Sequence, residues 1–143
     1  WGHLKSPEQL EPDLNENRFT ASATYVKPFE SGSSFAATFG WGLKDESDGT
    51  QLNGLFAEAE YKPADLWTLF ARAEWVQNSE LDALGRKLDA SEITVGGIKD
   101  FRVAEHWKFG IGALYAFDFP SHALPSYGGN PHGTMAFVRV MAE

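Results

Sequence analysis

The chain has no cysteine among its 143 residues. That excludes a disulfide framework, a thiolate metal centre and a cysteine nucleophile. It also lacks any run of about 20 apolar residues, so no membrane-spanning helix can be read from it. Positive charge is scarce: 12 Lys and Arg stand against 20 Asp and Glu, a net charge of −8. A nucleic-acid binder needs a basic stripe to displace counterions from phosphates, and none is present. The motifs of common chemistry are missing as well: there is no GxSxG, P-loop, dinucleotide fingerprint, HExxH or EF-hand spacing. The expectation is a protein that is not an enzyme, with no cofactor and no nucleic-acid partner.

What is abundant is aromatic and turn-forming. Five Trp and eleven Phe exceed what a disordered chain contains. Fourteen Gly and seven Pro point to many turns rather than long helices. The length suits one domain over residues 1–143. Acidic residues gather in the polar connections, at Glu8, Glu11, Asp13 and Glu16, at Asp45, Glu46 and Asp48, and at Glu80, Asp82, Asp89 and Glu92. These read as solvated loops.

Period-two alternation dominates the rest. In "HWKFGIGALYAFDFP", Trp107, Phe109, Ile111, Ala113, Tyr115, Phe117 and Phe119 alternate with Lys108, Gly110, Gly112, Leu114, Ala116 and Asp118. Five earlier segments behave alike: "RFTASATYVKPF", "SFAATFGWGL", "NGLFAEAEYK", "LWTLFARAEWV" and "SEITVGGIKDF". "GTMAFVRVMAE" closes the series with the weakest alternation, since Met135 and Phe137 share a face with Arg139. Trp1–Leu4 reads as the tail of a further strand, for about eight in all. The connections predict long and short loops in strict alternation, as in an antiparallel meander whose tight turns all lie at one end. At "YKPADLW" a three-residue turn over Pro63–Asp65 would pair Tyr61 with Trp67, Ala59 with Leu69, Ala57 with Ala71 and Leu55 with Ala73.

The fold class this predicts is all-β, an antiparallel up-and-down transmembrane β-barrel of about eight strands, or the C-terminal part of a larger barrel. A barrel strand needs only about 9–11 residues with alternate ones apolar, so the absence of a long apolar run does not oppose it. Two orientations compete. If the apolar face lines the interior, the chain is a soluble, lipocalin-like barrel binding a small apolar ligand. The other face would then be an outer surface of Thr, Ser and Gly, poor in charge for a soluble sheet. If the apolar face looks to lipid, small residues suit a narrow lumen. Glu58, Glu60, Arg72, Glu74, Lys108 and Arg139 then form an interior charged network. Tyr25, Trp41, Tyr61, Trp67, Trp75, Trp107 and Phe119 fall near strand ends, as aromatic girdles do at the two headgroup levels. Lys99 falls on the lipid face unless a bulge at Gly96–Gly97 re-aims it; near a strand end it can instead snorkel to the interface. The lipid-facing orientation is the preferred one.

"WGHLKSPEQLEP", "NRFTASATY" and "FRVAEHWKFGIGALYAF" resemble segments in the C-terminal region of poorly characterised proteobacterial outer-membrane proteins, β-barrels of the porin-like superfamily. The resemblance covers nearly the whole chain and lies in pattern rather than in a catalytic motif. It implies a porin-like channel or structural envelope protein in the bacterial outer membrane, with membrane lipid as partner and small solutes as cargo in the channel case. Two features depart from it: the last residues are "VRVMAE" rather than ending in an aromatic, and the N-terminal strands of larger relatives are missing. Of four His residues, only His122 and His132, flanking "PSYGG", offer a weak metal-ligating pair, and ordinary loop histidines are the better reading. Ser121, His122 and Ser126 have no spacing that recommends a nucleophile with its base.

Overall fold

The computed structural model of the protein describes residues 1–7, 13–64, 66–79, 87–120 and 129–142. Eight strands follow one another: β1 (Gly2–Lys5), β2 (Asn15–Pro28), β3 (Ser34–Glu46), β4 (Gln51–Ala64), β5 (Trp67–Asn78), β6 (Leu88–Ala104), β7 (Trp107–Phe119) and β8 (His132–Ala142). Each is antiparallel to its chain neighbour, and together they form one sheet in the order β1 to β8. The fold is therefore all-β and up-and-down, as the alternation predicts. Among the described residues there is no helix. β8 pairs only with β7 there, and β2 from Phe19 to Pro28 pairs only with β3, so both outer edges are open.

The ladders preserve side-chain parity from end to end. One cross-strand row runs Thr24, Thr38, Glu58, Arg72, Thr94, Ala116, Gly133. Even-numbered residues of β2 to β7 thus share a face with odd-numbered residues of β8. Glu16, Glu46, Leu52, Thr68, Leu88, Ile98, Asp100 and Lys108 are buried, and all lie on that face. No second layer covers it among the described residues. A single sheet buries one face only by curling around it, so this face is concave.

Glycine and phenylalanine make the curl possible. Phe56, Phe70 and Phe137 each stand directly across a ladder from a glycine: Gly40, Gly96 and Gly112. A Cβ on any of the three glycines would overlap the facing ring. The rings fill the space that the missing side chains leave, which keeps the concave face packed without crowding it.

The strands are also staggered. Along the row Lys27, Phe35, Tyr61, Leu69, Gly97, Ala113, Ala136, β2 ends one residue below the row at Pro28 and β7 begins six residues below at Trp107. The slip is about one residue, ~3.3 Å, for each strand spacing of ~4.8 Å, an inclination of roughly 35°. That is the strand tilt a barrel wall requires.

Two expectations need correction. Loop lengths do not alternate strictly. Residues 47–50 join β3 to β4 in four residues, fewer than the five of 29–33 between β2 and β3. Within the polar "KDESDGTQ" the ladder reaches further than a loop composition suggests, leaving only 47–50 to turn: Asp45 pairs with Gln51, Glu46 N–H donates to Thr50 O (2.8 Å), and Gly49, at φ 94°, donates to Glu46 O (2.9 Å). A positive φ at that corner suits glycine, which has no Cβ to clash.

The second correction is the register of β4 and β5. Tyr61 pairs with Leu69, Ala59 with Ala71, Ala57 with Ala73 and Leu55 with Trp75, two residues away from the predicted partners. Ala64 pairs with Trp67, so Lys62 and Pro63 oppose Thr68 alone in a β-bulge. A two-residue connection would invert the faces, and the one-residue bulge inverts them back. Pro63 has no N–H to offer the ladder, which is why a bulge tolerates it. No register shift occurs at Gly96–Gly97, so Lys99 stays on the apolar, convex face as its parity predicts, opposite Trp67.

Candidate functional site

The concave face has its charges in three groups rather than one network. In the middle, Arg72 on β5 donates through Nε and Nη2 to Glu74 (2.9 and 2.7 Å) and through Nη1 to Glu58 on β4 (3.4 Å). Its guanidinium also lies 4.9 Å from the centre of the Phe56 ring, a cation–π contact that holds the fork over the sheet. Glu92, opposite Glu74 on β6, accepts from Thr94 Oγ1 at 2.6 Å. Thr38, Glu58, Glu60, Phe70, Arg72 and Thr94 line a cleft of about 430 Å³ here.

Toward the end where residues 105–106 join β6 to β7, Arg139 on β8 grips Asp100 on β6. Nη2 to Oδ2 is 2.6 Å and Nε to Oδ1 is 3.1 Å, a bidentate pair, and Nη2 reaches Thr68 Oγ1 on β5 at 3.5 Å. This pair spans β7, whose residue beneath it is Gly110. A Cβ there would collide with Asp100 Oδ1 and press on Arg139 Cγ. Lys108, buried, lies at the same end of β7. At the opposite end Glu16 takes both Arg18 (2.7 Å) and Lys44 (3.1 Å), and Lys44 also meets Glu46 (2.9 Å).

Of the six residues expected to form one charged network, Glu58, Arg72 and Glu74 meet one another on the concave face. Glu60 pairs with Lys62 at 3.0 Å, and Arg139 pairs with Asp100, away from that trio. Sequence reading missed Asp100, Thr68, Glu16, Arg18, Lys44 and Glu46. A signal existed: all six have the even parity of Thr94 and Arg72. Arg18, Thr68 and Asp100 stand inside the alternating segments, whereas Glu16, Lys44 and Glu46 lie just past them, in stretches of loop-like composition.

The convex face holds the large apolar side chains. Phe39, Leu55, Leu69, Ile93, Val95, Ile111, Phe117 and Val138 are all exposed. Every predicted girdle residue lies on it. Measured along the tilt, Tyr25, Tyr61, Trp67 and Trp107 fall within about two residues of one level at the tight-turn end. Phe19, Trp41 and Trp75 mark a second level about eight residues higher, roughly 22 Å away after the tilt. Phe119 stands about three residues beyond that second level. Small Ala residues occupy much of the interval, including Ala23, Ala37, Ala57, Ala59, Ala71 and Ala73.

The histidines are engaged locally. The His132 ring stacks on Tyr115 at 5.8 Å, and His3 Nδ1 is 2.9 Å from Asn17 Oδ1. His122, Ser121 and Ser126 lie outside the described residues, and among the described residues no three His, Asp or Glu converge as a metal site would need. The chain matches no family model, no curated protein and no solved structure.

Proposed function

We propose that the chain is wall of a β-barrel in the bacterial outer membrane, non-enzymatic, serving as a porin-like channel or a structural envelope protein. The observation behind this is the inversion of ordinary burial. Glu16, Glu46, Asp100 and Lys108 are buried on the concave face and the more exposed Glu58, Arg72 and Glu74 pair there, while among the described residues about two dozen large apolar side chains stand exposed, most of them on the other face. In water such a surface invites aggregation. Against lipid it is the stable arrangement, and the apolar interval of roughly 22 Å between the aromatic levels is close to the outer-membrane band of about 25 Å. The tilt of roughly 35° supports the same reading. A soluble barrel holding an apolar ligand would need those side chains inward. In the bilayer the open edges of β2 and β8 must be paired, because hydrocarbon offers no partner for backbone groups.

Three measurements test this. The protein is expected to need detergent or lipid to stay monodisperse and to migrate differently on gels before and after heating. A chain that is monodisperse and folded in plain buffer refutes the membrane reading. Planar-bilayer recording then separates the two roles: conductance supports the channel, and its absence leaves the structural wall.

A further inference from the structure

We propose that the tight-turn rim of the convex face binds anionic phospholipid headgroups through Lys27 and Lys99. This rests on the lipid-facing reading above and adds to it a headgroup charge and an end. In strands β2 to β8 the convex face has four charged side chains by parity: Lys27 and Lys99 at the tight-turn end, and Asp45 and Asp89 at the other. Within β2 to β8 the two signs are segregated by the full height of the apolar band, and Lys5, on the same face of β1, stands at the acidic end.

The two lysines differ from their concave counterparts in their partners. Arg18, Lys44, Lys62, Arg72 and Arg139 each meet a carboxylate within 3.5 Å. Among the described residues neither Lys27 nor Lys99 meets one. Their ammonium groups lie instead over aromatic rings, Lys27 Nζ at 5.2 Å from the centre of Phe29 and Lys99 Nζ at 4.6 Å from that of Trp67. A ring face orients and partly shields a cation without neutralising it. The positive charge stays available to an external anion at the edge of the apolar band. Along the tilt Lys99 lies about two residues inside the level of Lys27, within the reach of a lysine stem that snorkels toward headgroups. A phosphate at that depth completes both pairs. Overall charge cannot be the cause of such a preference, because the chain's net −8 opposes anionic surfaces.

The test is partitioning of the whole chain from denaturant into vesicles of phosphatidylcholine alone and of phosphatidylcholine with phosphatidylglycerol, read by flotation and Trp emission. The ratio of anionic to neutral partitioning is expected to fall about five-fold for Lys27→Gln or Lys99→Gln and roughly 25-fold for both. High salt should bring the wild-type ratio down toward that of the double variant. Lys5→Gln, at the opposite end, is expected to leave the ratio unchanged. Equal ratios for wild type and double variant, with insertion into neutral vesicles intact, overturn the headgroup site and leave the lipid-facing reading standing. Failure of the wild type to enter neutral vesicles overturns both.

Discussion

Replacing Gly110 by Ala adds one methyl group beneath the Asp100–Arg139 bridge that joins β6 to β8 across β7. The methyl overlaps Asp100 Oδ1, crowds Arg139 Cγ and sits 3.2 Å from Ile98 Cγ2. Since the carboxylate hangs from a short stem, the bidentate pair must open. Breaking a buried ion pair costs about 3–5 kcal/mol when one charge is left alone. Here Asp100 is 3% exposed but Arg139 28%, so water recovers part of the loss, and about 2–3 kcal/mol is the better figure. The lower backbone entropy of Ala in the unfolded chain returns ~0.5–1 kcal/mol, leaving a net destabilisation of about 2 kcal/mol. Gly133→Ala is the matched control, because an added Cβ there meets nothing within 4 Å; it is expected to stabilise by about 0.5 kcal/mol. Denaturant unfolding in lipid vesicles, followed by Trp emission, measures both. Asp100→Ala combined with Gly110→Ala should cost little more than Asp100→Ala alone, since the overlap with the carboxylate disappears and the released Arg139 side chain can shift off the added methyl. Gly110→Ala and Gly133→Ala of equal stability, or additivity in the double variant, would refute the bridge as described.

Phe70→Ala should cost about 1–2 kcal/mol, by uncovering Gly96 and the cleft wall, and Gly96→Phe should not restore the loss, since the ring must project from β5. Phe39→Arg, exposed at mid-band on β3 between Ala23 and Ala57, separates lipid from water: about 2–4 kcal/mol is expected in vesicles, against near neutrality for a surface site in a soluble sheet, both read by equilibrium unfolding. Arg72→Gln leaves Glu58, Glu74 and Glu92 without their cation. If the barrel conducts, the reversal potential in a salt gradient should move toward cations, and an unchanged potential would place Arg72 outside the ion path.

Much of the strand plan is legible from residue types alone. The order of strands, their antiparallel sense and the assignment of each residue to one of two faces all follow from period-two alternation, which persists even through "VGGIKDF", where Lys99 looks out of place. Less legible were the polar strand ends. "KDESDGTQ" has loop composition, yet it continues the ladder because Glu46 and Lys44 satisfy each other on the concave face. Charge looks like solvent exposure in a sequence, and only a partner three-dimensionally close makes it burial. The site shared this fate: Arg139 and Asp100 are 39 residues apart, and nothing in either segment announces the other.

Side-chain alternation is a local property of an extended chain, so sequence by itself determined which residues share a face and that one face is apolar. Register, curvature and pairing are relations between strands. The bulge at Lys62–Pro63 shifted β4 and β5 by two residues while preserving parity, a change invisible to any test of alternation. Which face is concave was settled by Phe56, Phe70 and Phe137 closing over glycines on neighbouring strands, and which carboxylate meets which cation by the stagger that brings Arg139 over Gly110. Those are decisions of tertiary structure, because each needs the position of an atom on a strand the local sequence does not contain.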